Sequence, residues 1–301
     1  MKILITGATG MVGKELVSLL LQNGITVHYL TTSKDKIINK PNYYGFYWSP
    51  QEGYIDENCL MGVESIIHLA GATVSKRWTN NYKQEIIESR IISSSLLYNC
   101  LKNHPNQVKQ LVSASAIGIY PNSLTLVYTE ENTTSDDSFL GNVVVKWEES
   151  VDVFKVLNIK VCKLRIGLVL SNKGGALLEM LKPIQVGLGS AFGSGKQVQS
   201  WIHVEDLANM FFYAVQNQWY GAYNAVAPNP VTNSELIKTI AKTVNKPLFM
   251  PNIPKFVMSL VLGEMHQLLF SSQHVSSRKA EKNGFQFRYR DLAKTLDNLL
   301  S

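Results

Sequence analysis

The spacing of hydrophobic positions changes several times along this chain, and each change marks an element. Residues 2–6 (Lys-Ile-Leu-Ile-Thr) form a short apolar run closed by glycine, the pattern of a strand buried on both faces. From Met11 to Gln22 the apolar positions Val12, Leu16, Leu19 and Leu20 recur at helical spacing, and Asn23-Gly24 ends the run as a C-cap. Residues 25–30 return to a strand pattern. The same reading predicts strands at 44–48, 65–69, 110–114 and 159–164, with helices at 80–103 and 138–157. Strands that alternate with helices pair in parallel through right-handed crossovers, so the chain is expected to be α/β, with a doubly wound parallel sheet.

Beyond Gly167 the pattern loosens. Gly174, Gly175, Gly187, Gly189, Gly193 and Gly195 punctuate a loop-rich stretch with one helix near 176–186. A strand at 200–203, a helix at 205–217 and a strand at 222–226 suggest a return to the main sheet. Residues 228–301 read as mainly helical and carry Pro247, Pro251 and Pro254. The expected organisation is a nucleotide-binding domain over 1–171, rejoined by 201–227, and a smaller lobe from 172–200 and 228–301.

Composition narrows the function classes. With 45% apolar and 17% charged residues the chain is an ordinary globular protein, which excludes a disordered one. Its net charge of +6 describes a mildly basic surface or a local positive field for an anionic ligand. No Lys/Arg run exceeds two residues and no aromatic-basic interleaving occurs, so nucleic acid is not an expected partner. Cys59, Cys100 and Cys162 are odd in number and lack metal spacing, which predicts reduced thiols and a cytoplasmic setting. The six histidines show no HxxxH pairing, and no metal site is expected. The N-terminus reads as a strand and not a signal peptide, and the apolar stretch Phe256–Leu262 is too short to span a bilayer.

The motif that carries chemistry is Gly7-Ala8-Thr9-Gly10-Met11-Val12-Gly13, between a predicted strand and a predicted helix. In that context Gly7 permits the tight turn, Gly10 lets a pyrophosphate approach the backbone, and Gly13 lets helix and strand pack closely. The helix start offers unpaired N–H groups to the phosphates, with Thr9, Met11 and Val12 completing the turn. This is the opening of a Rossmann fold. An NAD site places a carboxylate at the end of the second strand for the ribose 2′-hydroxyl. Here that place reads Leu30-Thr31-Thr32-Ser33-Lys34, with no carboxylate before Asp35. Thr31, Thr32 and Lys34 would accept a 2′-phosphate, so NADP is expected ahead of NAD; Lys34 reads equally well as a solvated loop residue.

Other segments carry a family resemblance. The GxxGxxG spacing resembles that of extended short-chain dehydrogenase/reductases, as do His68-Leu69-Ala70-Gly71, Leu111-Val112-Ser113-Ala114-Ser115 and Trp201-Ile202-His203-Val204-Glu205-Asp206-Leu207-Ala208. Lys76-Arg77-Trp78, Glu88-Ser89-Arg90, Lys146-Trp147-Glu148, Gly193-Ser194-Gly195, Tyr223-Asn224-Ala225-Val226-Ala227-Pro228 and Gly263-Glu264-Met265 narrow it to the atypical YfcH-like epimerase family. That resemblance covers nearly the whole chain and implies the fold, a nicotinamide cofactor and a small C-terminal domain of unassigned function. It does not bring a known reaction. It further implies that Leu69, Ala70 and Gly71 lie under the adenosine and ribose, and that Glu85 and Arg90 reach over the adenine and phosphate edge. Lys76, Arg77, Trp78, Gln197, Trp201 and His203 would line the substrate side. Dimers of extended members use two helices per subunit, which makes 80–103 and 138–157 the candidate homodimer faces.

The expected catalytic groups depart from the superfamily. The resemblance gives Ser115 the place of the catalytic serine, but the Tyr-x-x-x-Lys pair is incomplete. If Lys146 is the lysine, which also grips the nicotinamide ribose, the tyrosine position is Asn142. Distance from Ser115 instead puts Leu140 and Val144 there, and both groups are missing. The Lys146-Trp147-Glu148 similarity favours the first register. Asparagine is no general acid at neutral pH, which leaves Tyr120 or His203 as a substitute. Two functions follow: an NADP-dependent oxidoreductase or nucleoside-sugar-epimerase-like enzyme on an unknown small molecule, or a catalytically silent NADP(H) sensor or scaffold.

Overall fold

The computed structural model describes residues 1–301. Strand β1 (Lys2–Thr6) leads through the glycine turn into helix α1 (Met11–Gln22), followed by β2 (Thr26–Thr31) and β3 (Tyr43–Ser49). Then come β4 (Ser65–His68), α2 (Asn80–Asn103), β5 (Gln110–Ala116), α3 (Phe139–Asp152) and β6 (Lys160–Ile166). These six strands pair in parallel in the order β3-β2-β1-β4-β5-β6. Ile3, Leu4, Ile5, Ile66, Ile67, Leu111 and Val112 are fully buried, because helices cover both faces of the sheet and leave its centre no solvent side. This is the expected doubly wound Rossmann sheet. The strand order reverses between β1 and β4, and their carboxyl ends define the crevice where such folds take ligands.

After β6 the chain makes β7 (Leu168–Leu170), α4 (Ala176–Gln185), β8 (Trp201–His203), α5 (Val204–Gln216) and β9 (Gly221–Ala225). The return to the main sheet is narrower than the sequence pattern suggests. Strand β9 joins the sheet beside β6, whereas β8 pairs only with β7 in a separate two-stranded ribbon. Helix α3 also ends earlier than its apolar spacing predicts, because residues Val153–Leu157 tighten into a 3-10 turn. The C-terminal region is mainly helical, with α6 (Asn233–Thr243), α7 (Lys255–Leu262) and a last helix at Leu292–Leu300. A second core of Leu177, Trp201, Leu236, Ile240 and Leu296 ties α4, β8, α6 and the last helix together. No helix is long and apolar enough to cross a membrane.

Candidate functional site

The crevice is built from two loops that touch. A side chain at Gly7 would lie 3.0 Å from the Leu69 carbonyl carbon, and Gly7 has φ +72°, so glycine serves both the approach and the turn. A Cβ at Gly13 would stand 2.2 Å from the Gly7 carbonyl oxygen, which keeps that position small so that α1 can close onto the turn. Gly10 is different: it is exposed, and its absent Cβ would meet only the Gly7 carbonyl oxygen, at 3.3 Å. The freed space faces outward.

Helix α1 starts at Gly10 without a side-chain cap and without an acidic residue in its first turn. The long helices α2, α3 and α5 that pack on the sheet are capped, by Thr79, Ser138 and His203 respectively. A helix start needs acceptors for its first N–H groups, and an anion provides them. An uncapped helix behind a glycine turn therefore fits a dinucleotide pyrophosphate.

The opposite loop is held by a buried chain of polar groups. Thr6 Oγ1 accepts from the Leu69 and Ala70 N–H groups at 3.1 and 3.0 Å, which leaves its own proton for His68 Nδ1 at 2.8 Å. His68 Nε2 then donates to Ser94 Oγ at 3.2 Å, and Ser94 passes its proton to the Arg90 carbonyl. Burial, with the Arg90 charge adding, pushes the His68 pKa down to about 4, so the ring stays neutral. Arg90 reaches this loop from behind. Its guanidinium donates to the Ile86 and Ala72 carbonyls at 2.7 and 3.2 Å, stands over the Trp147 ring and backs Gly71. It buttresses the loop from the side of α2. Glu85 is exposed and is not brought to Arg90, because five residues along a helix turn the side chain about 140° away.

At the end of β2 the Thr31 hydroxyl bonds Ser33 N at 3.2 Å and shapes the turn, while Thr32 is exposed. Lys34 leans over the Tyr47 ring, 4.9 Å from its centroid. A cleft of about 340 Å³ opens beside this turn, lined by Thr9, Lys14, Asp35, Lys36 and Tyr43 among others. Sequence reasoning missed Lys14 and Lys36 here, since neither stands in the expected strand-end position.

The catalytic register is corrected. Asn142 and Lys146 are both exposed on α3, and the Asn142 amide is spent on the Asp137 and Ser138 carbonyls at 2.9 Å. Leu140 and Val144 instead face the turn after β5, each 3.9 Å from where a Gly118 side chain would begin. Two residues of offset rotate a helical side chain by about 200°, so one register faces the site and the other faces solvent. Hydrocarbon occupies both positions of that register, and Lys146 lies exposed on the other.

Ser115 is sequestered as well. Its hydroxyl donates to Glu148 Oε1 at 2.7 Å, and Arg165 clamps the same carboxylate at 2.8 and 3.0 Å. Burial alone would raise Glu148, but the Arg165 hydrogen bonds and charge, with Lys163 and Ser115, hold its carboxyl below the ordinary range. Arg165 continues to the Tyr120 hydroxyl at 2.9 Å, which donates to Asn224 Oδ1 at 2.8 Å. Tyr120 is thus no surface residue. Burial raises its pKa, and its proton is engaged inside the network. Glu148 was visible in Lys146-Trp147-Glu148; its partner Arg165, 17 residues away, carried no sequence signal.

The expected substrate residues separate into two groups. Lys76 and Arg77 are exposed on the loop after Gly71, and Trp78 is buried beside them, bonding the Val74 carbonyl and packing edge-on against Phe139. Gln197, Trp201 and His203 are buried and spend their polar atoms on protein partners. Gln197 donates to the Phe192 and Leu269 carbonyls, and Trp201 to the Asn229 carbonyl. His203 accepts from Glu205 N through Nδ1, reaches Asn298 through Nε2 and stacks on Tyr289. Burial lowers its pKa, and both ring nitrogens are engaged in the helix cap and the Asn298 contact. No cluster of three or more potential metal-ligating side chains is present.

Residues 3–225 match the NAD dependent epimerase/dehydratase family, and residues 253–299 match a domain of unknown function, DUF1731. The chain is 36% identical to epimerase family protein YfhF of Bacillus subtilis (strain 168), over all of this chain and 98% of that protein. It is 37% identical to an epimerase family protein of Staphylococcus aureus (strain MRSA252), over 99% and 98%. Among solved structures, human epimerase family protein SDR39U1 (isoform 2) with NADPH superposes with a TM-score of 0.85 at 28% identity, covering 99% of both chains.

Proposed function

The chain belongs to the NAD dependent epimerase/dehydratase family, and from that premise we propose that it is an NADP(H)-binding extended short-chain dehydrogenase/reductase of the YfcH-like branch, acting on a small molecule. The observation that carries the binding is the uncapped start of α1 behind the Gly7 turn, facing the Leu69–Ala70 loop. The NADPH held by the human relative supports the phosphorylated cofactor. Residues Gly7 to Gly13 would hold the pyrophosphate, and Leu69 to Gly71 the adenosine side. The dinucleotide supplies the hydride when bound.

The chain's own groups then decide which substrates suit it. Leu140 and Val144 carry no proton, Ser115 is bonded inward, and Tyr120 and His203 are engaged elsewhere. We therefore assign it an oxidoreductase role on acceptors that take their proton from solvent or from their own acidic groups. The simple ketones that a Tyr-Lys relay serves are poor substrates in this reading. The same hydrocarbon pair favours a second reading, a catalytically silent NADP(H) sensor.

One experiment separates them. NADPH binding is titrated by calorimetry, and the loaded protein is mixed with carbonyl, quinone and iminium acceptors while cofactor absorbance is followed. Tight binding with turnover of activated acceptors supports the enzyme. Tight binding with no turnover on the panel supports the sensor, and absence of NADPH binding removes both.

A further inference from the structure

Resting on the NADP(H) reading above, we infer that the 2′-phosphate is held by two lysines from separate segments, Lys14 on α1 and Lys36 on the turn after β2. Tyr29 serves them as a positioning residue.

The cleft of about 340 Å³ beside β2 is where the two segments meet, and Lys14 and Lys36 both line it. Lys14 and Lys36 are exposed, and neither forms an ion pair within the protein. Lys34, the cation nearest the strand end in sequence, is turned onto Tyr47 and does not line the cleft. Asp35 shares the wall, so the cleft holds one carboxylate against two ammonium groups. A carboxylate suits a bare ribose hydroxyl and repels a phosphate. Two lysines reverse that balance for a dianionic group and leave little advantage to a neutral one.

The turn that presents Lys36 is fixed from beneath. Tyr29 is fully buried, and its hydroxyl donates to the Lys36 carbonyl and accepts from Ile38 N, both at 2.7 Å. Its ring stacks on Tyr43 at 4.4 Å, and Tyr43 is itself part of the cleft wall. Glycine at 45 makes room for this, since a Cβ there would stand 2.5 Å from the Tyr29 hydroxyl. One phenol therefore sets the backbone of the turn and one wall of the cleft.

The test is calorimetric titration of NADPH, NADH, adenosine 2′,5′-bisphosphate and ADP against wild type, Lys14→Met, Lys36→Met, the double variant and Tyr29→Phe. A lost charge-assisted contact weakens NADPH and the bisphosphate about tenfold per lysine and about a hundredfold together. NADH and ADP should stay within about twofold, because the energy lost belongs to the phosphate contact alone. Tyr29→Phe should weaken NADPH about threefold to tenfold with NADH unchanged, a split that general destabilisation would not produce. Full NADPH affinity in the double variant overturns the lysine assignment while leaving the cofactor reading intact. Equal loss of NADPH and NADH in Tyr29→Phe overturns the positioning role. Wild type that binds NADH as tightly as NADPH overturns the cofactor reading itself.

Discussion

The two ends of the crevice were built on different principles. At the nucleotide end, β1 and β4 deliver glycine turns and open N–H groups, and side chains are absent where a ligand would come close. At the chemistry end, β5 and α3 present Leu140 and Val144, and the polar groups behind them are bonded to one another. One end is unsatisfied and waits for a partner; the other is saturated. The contrast separates cofactor binding from proton transfer within one fold, and shows that family membership assigns the first more firmly than the second.

The strongest way to break the contrast is to put the missing groups back. Leu140→Tyr with Val144→Lys should raise NADPH-dependent reduction of simple ketones by ~10²–10⁴, the usual worth of a placed proton donor. An unchanged rate in a folded double variant would mean that these positions are not what silences the chemistry end. Next is Glu148→Ala, which strands Arg165 without its carboxylate. Breaking a buried pair of this kind costs about 3–5 kcal/mol, read from urea unfolding. A loss below about 1 kcal/mol would show the network to be dispensable to the fold.

The nucleotide end has a pH signature. His68 titrates near 6.5 in the unfolded chain and at about 4 in the fold. Between those values the unfolded chain takes up a proton that the fold refuses, so stability is full above 6.5 and drains as pH falls through about 4. The loss is roughly 3 kcal/mol for a shift of that size, and His68→Asn should flatten the slope. An identical pH profile in the variant would remove His68 from the account. The same end is probed directly by Gly10→Val, whose new Cβ meets only the Gly7 oxygen at 3.3 Å. The fold should survive while dinucleotide affinity drops tenfold or more, since each charge-assisted hydrogen bond lost is worth about 1.5–3 kcal/mol. Undiminished affinity would place the cofactor elsewhere. The smallest effect is none: Asn142→Tyr, on the solvent side of α3, should leave ketone reduction at the wild-type level. A rise there would restore the Lys146 register.

What the sequence disclosed follows the same division. The glycine turn is legible because its meaning is local: strand, turn and helix are adjacent in the chain, and backbone geometry demands glycine. The parallel order of β1 to β6 is legible because buried strands and amphipathic helices alternate. The register of α3 is not. A helix advances about 100° per residue, so an offset of two residues moves Asn142 and Lys146 to solvent, which the packing of Leu140 and Val144 on the Gly118 turn decides, together with the pairing of Glu148 with Ser115 and Arg165. His203 and Trp201 misled for a related reason. Their motif marks a strand-to-helix turn faithfully, but one side chain caps the helix and the other fills the second core. The Tyr29–Lys36 brace was invisible because it joins a buried phenol to a backbone carbonyl, and no residue type announces that bond.

The bare start of α1 has a consequence for the protein's persistence in a cell. Helices α2, α3 and α5 carry their own caps, so their folding asks nothing of the surroundings. An anion bound at the start of α1 would act as its cap and so become a term in the folding equilibrium. A ligand bound only by the native state adds RT ln(1 + [L]/Kd), about 2.7 kcal/mol at a hundredfold excess over Kd. Against a total stability of about 5–15 kcal/mol, that is enough to change how often the chain opens to a protease. Abundance of the protein would then follow abundance of the dinucleotide, whether or not a hydride ever leaves it.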